Sequence, residues 1–219
     1  MIIDRLLELR RFSDYDFLLS AVFYLLAAIP PILLRSWGLV RAANKEEKQT
    51  SFRKELVQHL PASVFSLGFF ALTGCLRAPL AERTSDPEKN KRLFLGGFLF
   101  LLYGAIGSFL LFTILQFLSS RFSAYLLQLA TFFTEALTTA HLSALLFSLL
   151  PIPESDALAL LRKKPLGKTA SAILENQTIS FFTFCVIALL LSCITVPVGG
   201  SEISLMGLLV RYPFLLLSI

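Results

Sequence analysis

The sequence predicts an all-α integral membrane protein, a polytopic bundle of about five to six transmembrane segments in one membrane domain over residues 1–219. Hydrophobic residues make up 55% of the chain and charged residues only 16%, and the mean hydropathy is +0.71. Charged residues form blocks that separate apolar runs of roughly twenty residues, enough to cross a hydrocarbon layer about 30 Å thick. These values exclude an ordinary soluble domain.

The first 150 residues are expected to contain one interfacial segment and four apolar segments. Leu and Ile alternate with charged residues over 1–16, which indicates an amphipathic stretch at the membrane surface. The second apolar segment is short enough to be a half-span or a re-entrant element. The four apolar segments of residues 17–150 are predicted at 17–34, 61–76, 93–118 and 124–150.

Small and polar residues distinguish the third and fourth apolar segments. Glycines at three- and four-residue spacing let a neighbouring backbone come close, so the third segment is the expected packing centre. An ionisable residue inside a membrane span is energetically costly and is therefore usually functional. Glu135 and His141 are for this reason candidate intramembrane polar sites. The glycines of the third segment are Gly96, Gly97, Gly104 and Gly107.

The carboxyl-terminal part is predicted to contain a polar loop over 151–177, followed in 178–219 by one more span and an apolar tail. Gly199 and Gly200 are interpreted as a turn after that span, which is expected to end near Val196. If every segment crosses the membrane, the amino terminus and the loops 77–92 and 151–177 lie on one side and together contain twelve Lys and Arg. The opposite side contains seven. The positive-inside rule then places the amino terminus in the cytoplasm.

The expected location is a membrane, specifically the inner (plasma) membrane of a bacterium. A net charge of +5 is explained by anionic lipid headgroups, so the lipid bilayer is an expected partner and nucleic acid is not. Cys75, Cys185 and Cys193 lack metal-binding spacing and are interpreted as small apolar fillers.

A double proline ends the fourth apolar segment and places acidic residues just beyond it. Pro151 and Pro153 each remove a backbone donor and disfavour helical geometry in the preceding residue. Glu154 and Asp156 therefore follow irregular backbone at membrane depth, which is tolerated only inside protein or beside a water-filled cavity. This break is a candidate functional site.

The same stretch resembles a motif of the site-2 proteases, the intramembrane zinc metalloproteases. Leu149-Leu150-Pro151-Ile152-Pro153-Glu154-Ser155-Asp156-Ala157 is similar to the family's Asn-Leu-Leu-Pro-Ile-Pro-Pro-Leu-Asp-Gly, with Ser148 at the position of the Asn. The resemblance places Asp156 at the position of the third zinc ligand. Weaker similarities precede it in the family's order, at Gly104 with Ser108 in place of an Asn, and at His59-Leu60.

The chain lacks the His-Glu-x-x-His motif that supplies the family's other two zinc ligands and its catalytic base. Two histidines one turn apart on a helix face the same metal. The corresponding turn falls near Pro30, Pro31 and Leu34, which offer no ligand, and the prolines are expected to distort it. The resemblance therefore implies a degenerate member, a pseudoprotease with no catalytic residue and no zinc.

A metal-free core of this kind implies a cleft that binds or scaffolds a membrane-protein partner or peptide without cutting it. The expected cleft residues are Pro30, Pro31, Ser108, Ser148, Pro151, Pro153 and Asp156. Three alternatives stay open: an active intramembrane metalloprotease with unconventional ligands, a transporter and a structural subunit of a membrane complex. In the transporter, Glu135, Thr138, Thr139 and His141 would line the path.

Overall fold

The computed structural model of the 219-residue chain describes a set of helices and one short β-hairpin. The residues described are 14–42, 60–61, 64, 87–122, 124–149, 182, 186–187, 189–198, 201–205 and 207–208. The regular elements, in chain order, are α1 (Asp14–Ala27), α2 (Ile29–Ala42), α3 (Pro87–Arg121), α4 (Tyr125–Leu149), β1 (Thr195–Val198) and β2 (Ser201–Ser204).

Helices α1 and α2 follow each other with a single turn residue, Ala28, between them. The amide of Ala28 still donates to the carbonyl of Tyr24 at 3.1 Å, so α1 completes its last turn before the break. Pro30 and Pro31 occupy the first turn of α2, where an amide has no intrahelical acceptor and a proline is tolerated. The prolines thus interrupt the helix before them, and their own turn is part of helix α2.

The first apolar segment is longer than expected. Leu18–Ala42 is a 25-residue stretch long and apolar enough to cross a membrane, whereas the sequence predicted an end at Leu34 and a polar loop from Arg35. Arg35 is instead 2% exposed within α2. Apolar residues continue after it, including Trp37 and Leu39, so one internal cation does not end the helix.

Helices α3 and α4 confirm the third and fourth apolar segments as helices. Lys91–Arg121, within α3, is the second stretch long and apolar enough to cross a membrane. Only residues 122–124 separate α3 from α4, and a connection this short joins antiparallel neighbours. Helix α4 then runs 25 residues to Leu149, which leaves Pro151 and Pro153 outside the described residues.

Glycines allow α2 and α3 to pack with their backbones almost in contact. A Cβ atom on Gly38 would overlap the carbonyl oxygen of Gly96, and one on Gly96 would lie 2.6 Å from the Cβ of Ala42. Gly96 thus lies beside Gly38, whereas Gly104, farther along α3, lies beside Leu34. Residue numbers therefore decrease along α2 as they increase along α3. The two helices are therefore antiparallel. Gly107, by contrast, is not a packing glycine, since a Cβ atom there would meet no neighbouring atom of the described residues within 4 Å.

Large apolar side chains lie both inside the bundle and on its outer surface, and several small or polar side chains are buried with them. The buried apolar side chains of α4 include Ala136, Ala140 and Ala144, which are small, while hydroxyl residues such as Thr138 and Ser143 are fully buried beside them. Only 22% of the most apolar window of Lys91–Arg121 is buried. Large apolar side chains cover the outside, among them Leu18, Val22, Leu33, Trp37, Tyr103, Ile106, Leu110, Ile114 and Phe117.

The carboxyl-terminal region departs from the all-α expectation. Residues 189–193 are helical, but the chain then forms a hairpin in which β1 pairs with β2, so the helical segment ends before the predicted limit at Val196. Val198 pairs with Ser201, which leaves a two-residue connection of sequence Gly199-Gly200. A glycine pair joining two short strands is a hairpin signal that the sequence interpretation treated only as a turn.

The glycine contacts predict opposite effects for two similar substitutions. Gly96→Ala should destabilise the bundle by about 1–3 kcal/mol, because the methyl group overlaps Gly38 and Ala42 and the backbones must separate. Gly107→Ala should be neutral or stabilise by up to about 1 kcal/mol, because alanine is the better helix former and the site is open. Unfolding in detergent, followed by helical circular dichroism, measures both. Equal effects would contradict the close packing of α3 against α2 at Gly96.

Candidate functional site

Three helices meet at Gly104, which we call the Gly104 junction. A Cβ atom on Gly104 would lie 2.5 Å from Nε2 of His141 on α4 and 2.8 Å from Cδ1 of Leu34 on α2. Gly104 also lies near the middle of Lys91–Arg121. The structure thus brings together two residues that the sequence singled out separately, Leu34 and His141.

His141 is held in one orientation by its own helix. Its Nδ1 lies 2.9 Å from the carbonyl oxygen of Leu137, and a carbonyl only accepts, so Nδ1 is the protonated nitrogen. Nε2 is buried and has no hydrogen-bond partner within the described part of the chain. The residue is 2% exposed. The imidazole therefore presents its second nitrogen to the backbone of Gly104, where the absent side chain leaves room for the ring.

The buried hydroxyl groups around the junction bond to their own helices. Thr138 Oγ1 donates to the carbonyl of Thr134 at 2.8 Å, and Ser143 Oγ donates to the carbonyl of Thr139 at 2.8 Å. Ser108 Oγ donates to the carbonyl of Ala105 at 3.1 Å. Such bonds satisfy a hydroxyl without a partner on another helix. The polar interior is thus internally satisfied at these positions and has no need of water there.

Two of the expected cleft residues lie on opposite sides of the Gly104 junction. Ser108 is one turn from Gly104 toward the α3–α4 turn, about 6 Å along the axis. Ser148 is seven residues beyond His141 in the other direction, about 10 Å along the antiparallel helix, and its Oγ donates to the carbonyl of Leu145 at 2.8 Å. Both are buried, but about 16 Å separates them along the bundle, so they do not converge on one point.

The remaining candidate residues divide into described and undescribed positions. Pro30 is half-buried and Pro31 is buried at the start of α2, and Glu135 is half-buried on α4. Among the described residues, no group of three or more His, Cys, Asp or Glu could hold a metal ion. Cys193 is a free, exposed thiol. The candidates outside the described residues are His59, Pro151, Pro153 and Asp156.

Sequence reasoning missed Arg35 as an interior residue. Its side chain lies along Gly97 of α3, where a Cβ atom would be 3.4 Å from Cγ of Arg35. Ser36 and Leu39 are buried on the same helix, and Leu39 contacts Gly97 as well. The signal in the sequence is the pair Gly96-Gly97, which provides room for the arginine stem, but it could be recognised only once α2 was known to face it.

The described features define a class of fold, a helical bundle with two helices long and apolar enough to cross a membrane. The chain matches no protein-family model, and comparison with curated proteins and with solved structures gives no significant match.

The Gly104 junction predicts a non-additive double substitution. Gly104→Ala should destabilise by about 1–3 kcal/mol, because the methyl group meets the imidazole of His141. In a His141→Ala background the same substitution should cost less, because the ring has gone, with a coupling of about 0.5–3 kcal/mol. Detergent unfolding of the four proteins in the cycle measures this coupling.

Gly107→Ala supplies the matched control, because it is on the same helix but in open space. Its effect should add to that of His141→Ala within about 0.5 kcal/mol. If Gly104→Ala is equally additive, His141 does not pack on Gly104 in this way.

Proposed function

We propose that the protein is an integral membrane protein of about five to six spans, in the plasma membrane of a bacterium, that binds a membrane partner without cleaving it. The observation that supports its membrane location best is the number of large apolar side chains on the outer surface of the bundle. Large apolar residues face outward along Leu18–Ala42 and Lys91–Arg121, while small and polar residues are buried. A soluble protein rarely exposes so continuous an apolar surface.

The packing chemistry supports the same location. Between helices in lipid, small residues permit close van der Waals contact, because lipid tails remove the hydrophobic drive for burying large apolar side chains. Gly38 against Gly96 is a contact of this type. Buried hydroxyls that donate to their own helix, such as Thr138 and Ser143, meet the requirement that polar groups in a hydrocarbon layer be satisfied internally.

The non-catalytic role is proposed from the resemblance to site-2 proteases together with local geometry. The turn that corresponds to the family's zinc-binding histidines contains Pro30, Pro31 and Leu34, and Leu34 packs at the Gly104 junction. His141 has one nitrogen bonded to its own helix and the other against Gly104. These side chains are used for packing, which favours a scaffold over a hydrolytic centre. Asp156 would then contribute hydrogen bonds to a partner's backbone.

The alternatives have less support. A solute path through α4 needs accessible polar side chains, whereas Thr138 is 0% exposed and Thr139 and His141 are also buried. An active metalloprotease needs about three ligands converging on one ion. Asp156 is the sequence's candidate for one of them, and zinc analysis of the purified protein decides the matter. Stoichiometric zinc would overturn the non-catalytic proposal, and substoichiometric zinc supports it.

Membrane integration is tested by extraction of membranes at alkaline pH. The full-length protein should stay in the membrane pellet after carbonate treatment and should be released only by detergent, because its exposed apolar surface is held by lipid. A peripheral protein from the same membranes should appear in the supernatant and serves as the control. Release of this chain by carbonate would contradict membrane integration.

Partner binding is tested by substitution of Asp156. Crosslinking in native membranes followed by purification should recover a partner with the wild-type chain and less of it with Asp156→Ala. Gly107→Ala, which changes an open position on α3, should recover the wild-type amount. Equal recovery with Asp156→Ala would remove that residue from the binding site, and cleavage of the recovered partner would contradict a non-catalytic role.

A further inference from the structure

Helix direction places three exposed cations at one end of the bundle. Because α2 and α3 are antiparallel, the end of α2 and the start of α3 coincide, and a Cβ atom on Gly96 would lie 2.6 Å from the Cβ of Ala42. Arg41, Lys91 and Arg92 are all exposed there. We call this end, defined by these three residues, the basic end.

The opposite end has a different character. The ring centroids of Phe23 on α1 and Phe132 in the first third of α4 are 5.8 Å apart, so α1 begins at the end that contains the turn between α3 and α4. Phe122 and Tyr125 are exposed at this turn. The guanidinium group of Arg121 lies 5.5 Å from the ring centroid of Phe117. Aromatic side chains of this kind are typical of a membrane–water interface. We call the end defined by Arg121, Phe122 and Tyr125 the aromatic end.

The charge of the flanking sequence follows the same division. Residues 41–92, which run from the end of α2 to the start of α3, contain ten Lys and Arg and six Asp and Glu. Residues 1–16, which precede the rest of α1 at the aromatic end, contain three Lys and Arg against four Asp and Glu. The net charge is therefore positive for the segment at the basic end and slightly negative for the segment that precedes α1.

We propose that the basic end lies at the cytoplasmic leaflet and binds anionic phospholipid headgroups, with the amino terminus on the opposite side of the membrane. This rests on the proposed membrane location. Positively charged residues near span ends are retained on the cytoplasmic side, where the leaflet is negatively charged. Arg41, Lys91 and Arg92 provide three exposed cations within the reach of such headgroups.

The proposed orientation also accounts for the second apolar segment. A chain that leaves α2 and enters α3 at the same end crosses the membrane an even number of times in between. The single apolar segment 61–76 is too short for two crossings. The proposed orientation is therefore incompatible with one full crossing by that segment, and it is the reverse of the sequence-based orientation, which assumed such a crossing. Leu60 and Val64 pack against the buried cluster of the bundle.

Orientation is tested with single cysteines in a chain whose three native cysteines are replaced by serine. In intact cells, a membrane-impermeant maleimide should label Phe122→Cys at the aromatic end and should not label Glu88→Cys at the basic end until the cells are opened. Both positions are exposed. The reverse pattern, or labelling of both ends in intact cells, would overturn the proposal. Carbonate extraction of the same variants tests membrane integration separately, so the two failures are distinguishable.

Headgroup binding is tested with the detergent-solubilised full-length protein. Phosphatidylglycerol should raise the melting temperature more than phosphatidylcholine does, and the difference should shrink as salt increases. The triple variant Arg41→Gln, Lys91→Gln, Arg92→Gln should lose that difference, while Arg121→Gln at the aromatic end should retain it. Equal loss in both variants, or no preference in the wild type, would overturn headgroup binding at the basic end. Inorganic phosphate should not reproduce the shift, and if it does, the site recognises a free anion instead.

Discussion

The close approach of Gly38 to Gly96 is the contact on which the arrangement of the bundle depends. Any side chain at either position would push α2 away from α3, because it would meet backbone atoms of the facing glycine. With the helices this close, Gly97 contacts the stem of Arg35 and Gly104 receives His141 and Leu34. This contact and that of Leu34 at Gly104 together define the direction of α2 relative to α3, and with it the positions of the charged residues at each end.

Close packing through small residues has a consequence for the polar interior. Helices whose facing residues are Gly and Ala leave little volume between them, so buried hydroxyls bond to the carbonyl one turn back on their own helix. Thr138, Ser143 and Ser148 all do so. A hydroxyl that is satisfied in this way requires neither a cavity for a bound water molecule nor a partner on the facing helix. The buried hydroxyls of α4 that make these bonds are thus compatible with direct helix–helix packing as well as with a solute path.

Local signals were sufficient for the existence of α3 and α4, because long apolar runs predict helices, although α3 extends beyond the predicted 93–118 at both ends. They were insufficient at three places. Arg35 looks like the start of a loop until the facing glycines are known, and Pro30 and Pro31 look disruptive unless they fall in a first turn. The pairing of β1 with β2 depends on register across Gly199-Gly200, which hydropathy does not report. For the candidate site, the sequence identified Leu34 and His141 but not their contact, which depends on helix rotation and crossing.

The geometry of His141 bears on the choice between a scaffold and a catalyst. An imidazole that binds a metal or moves a proton needs its free nitrogen to face a ligand, a water molecule or a substrate. Here Nδ1 is committed to the carbonyl of Leu137, and Nε2 faces Gly104 across a gap that a single methyl group would close. Helices α3 and α4 would have to separate before Nε2 could reach any reactant. That separation would also disturb the packing that orders α2 and α3, so in this arrangement the imidazole of His141 has a packing role.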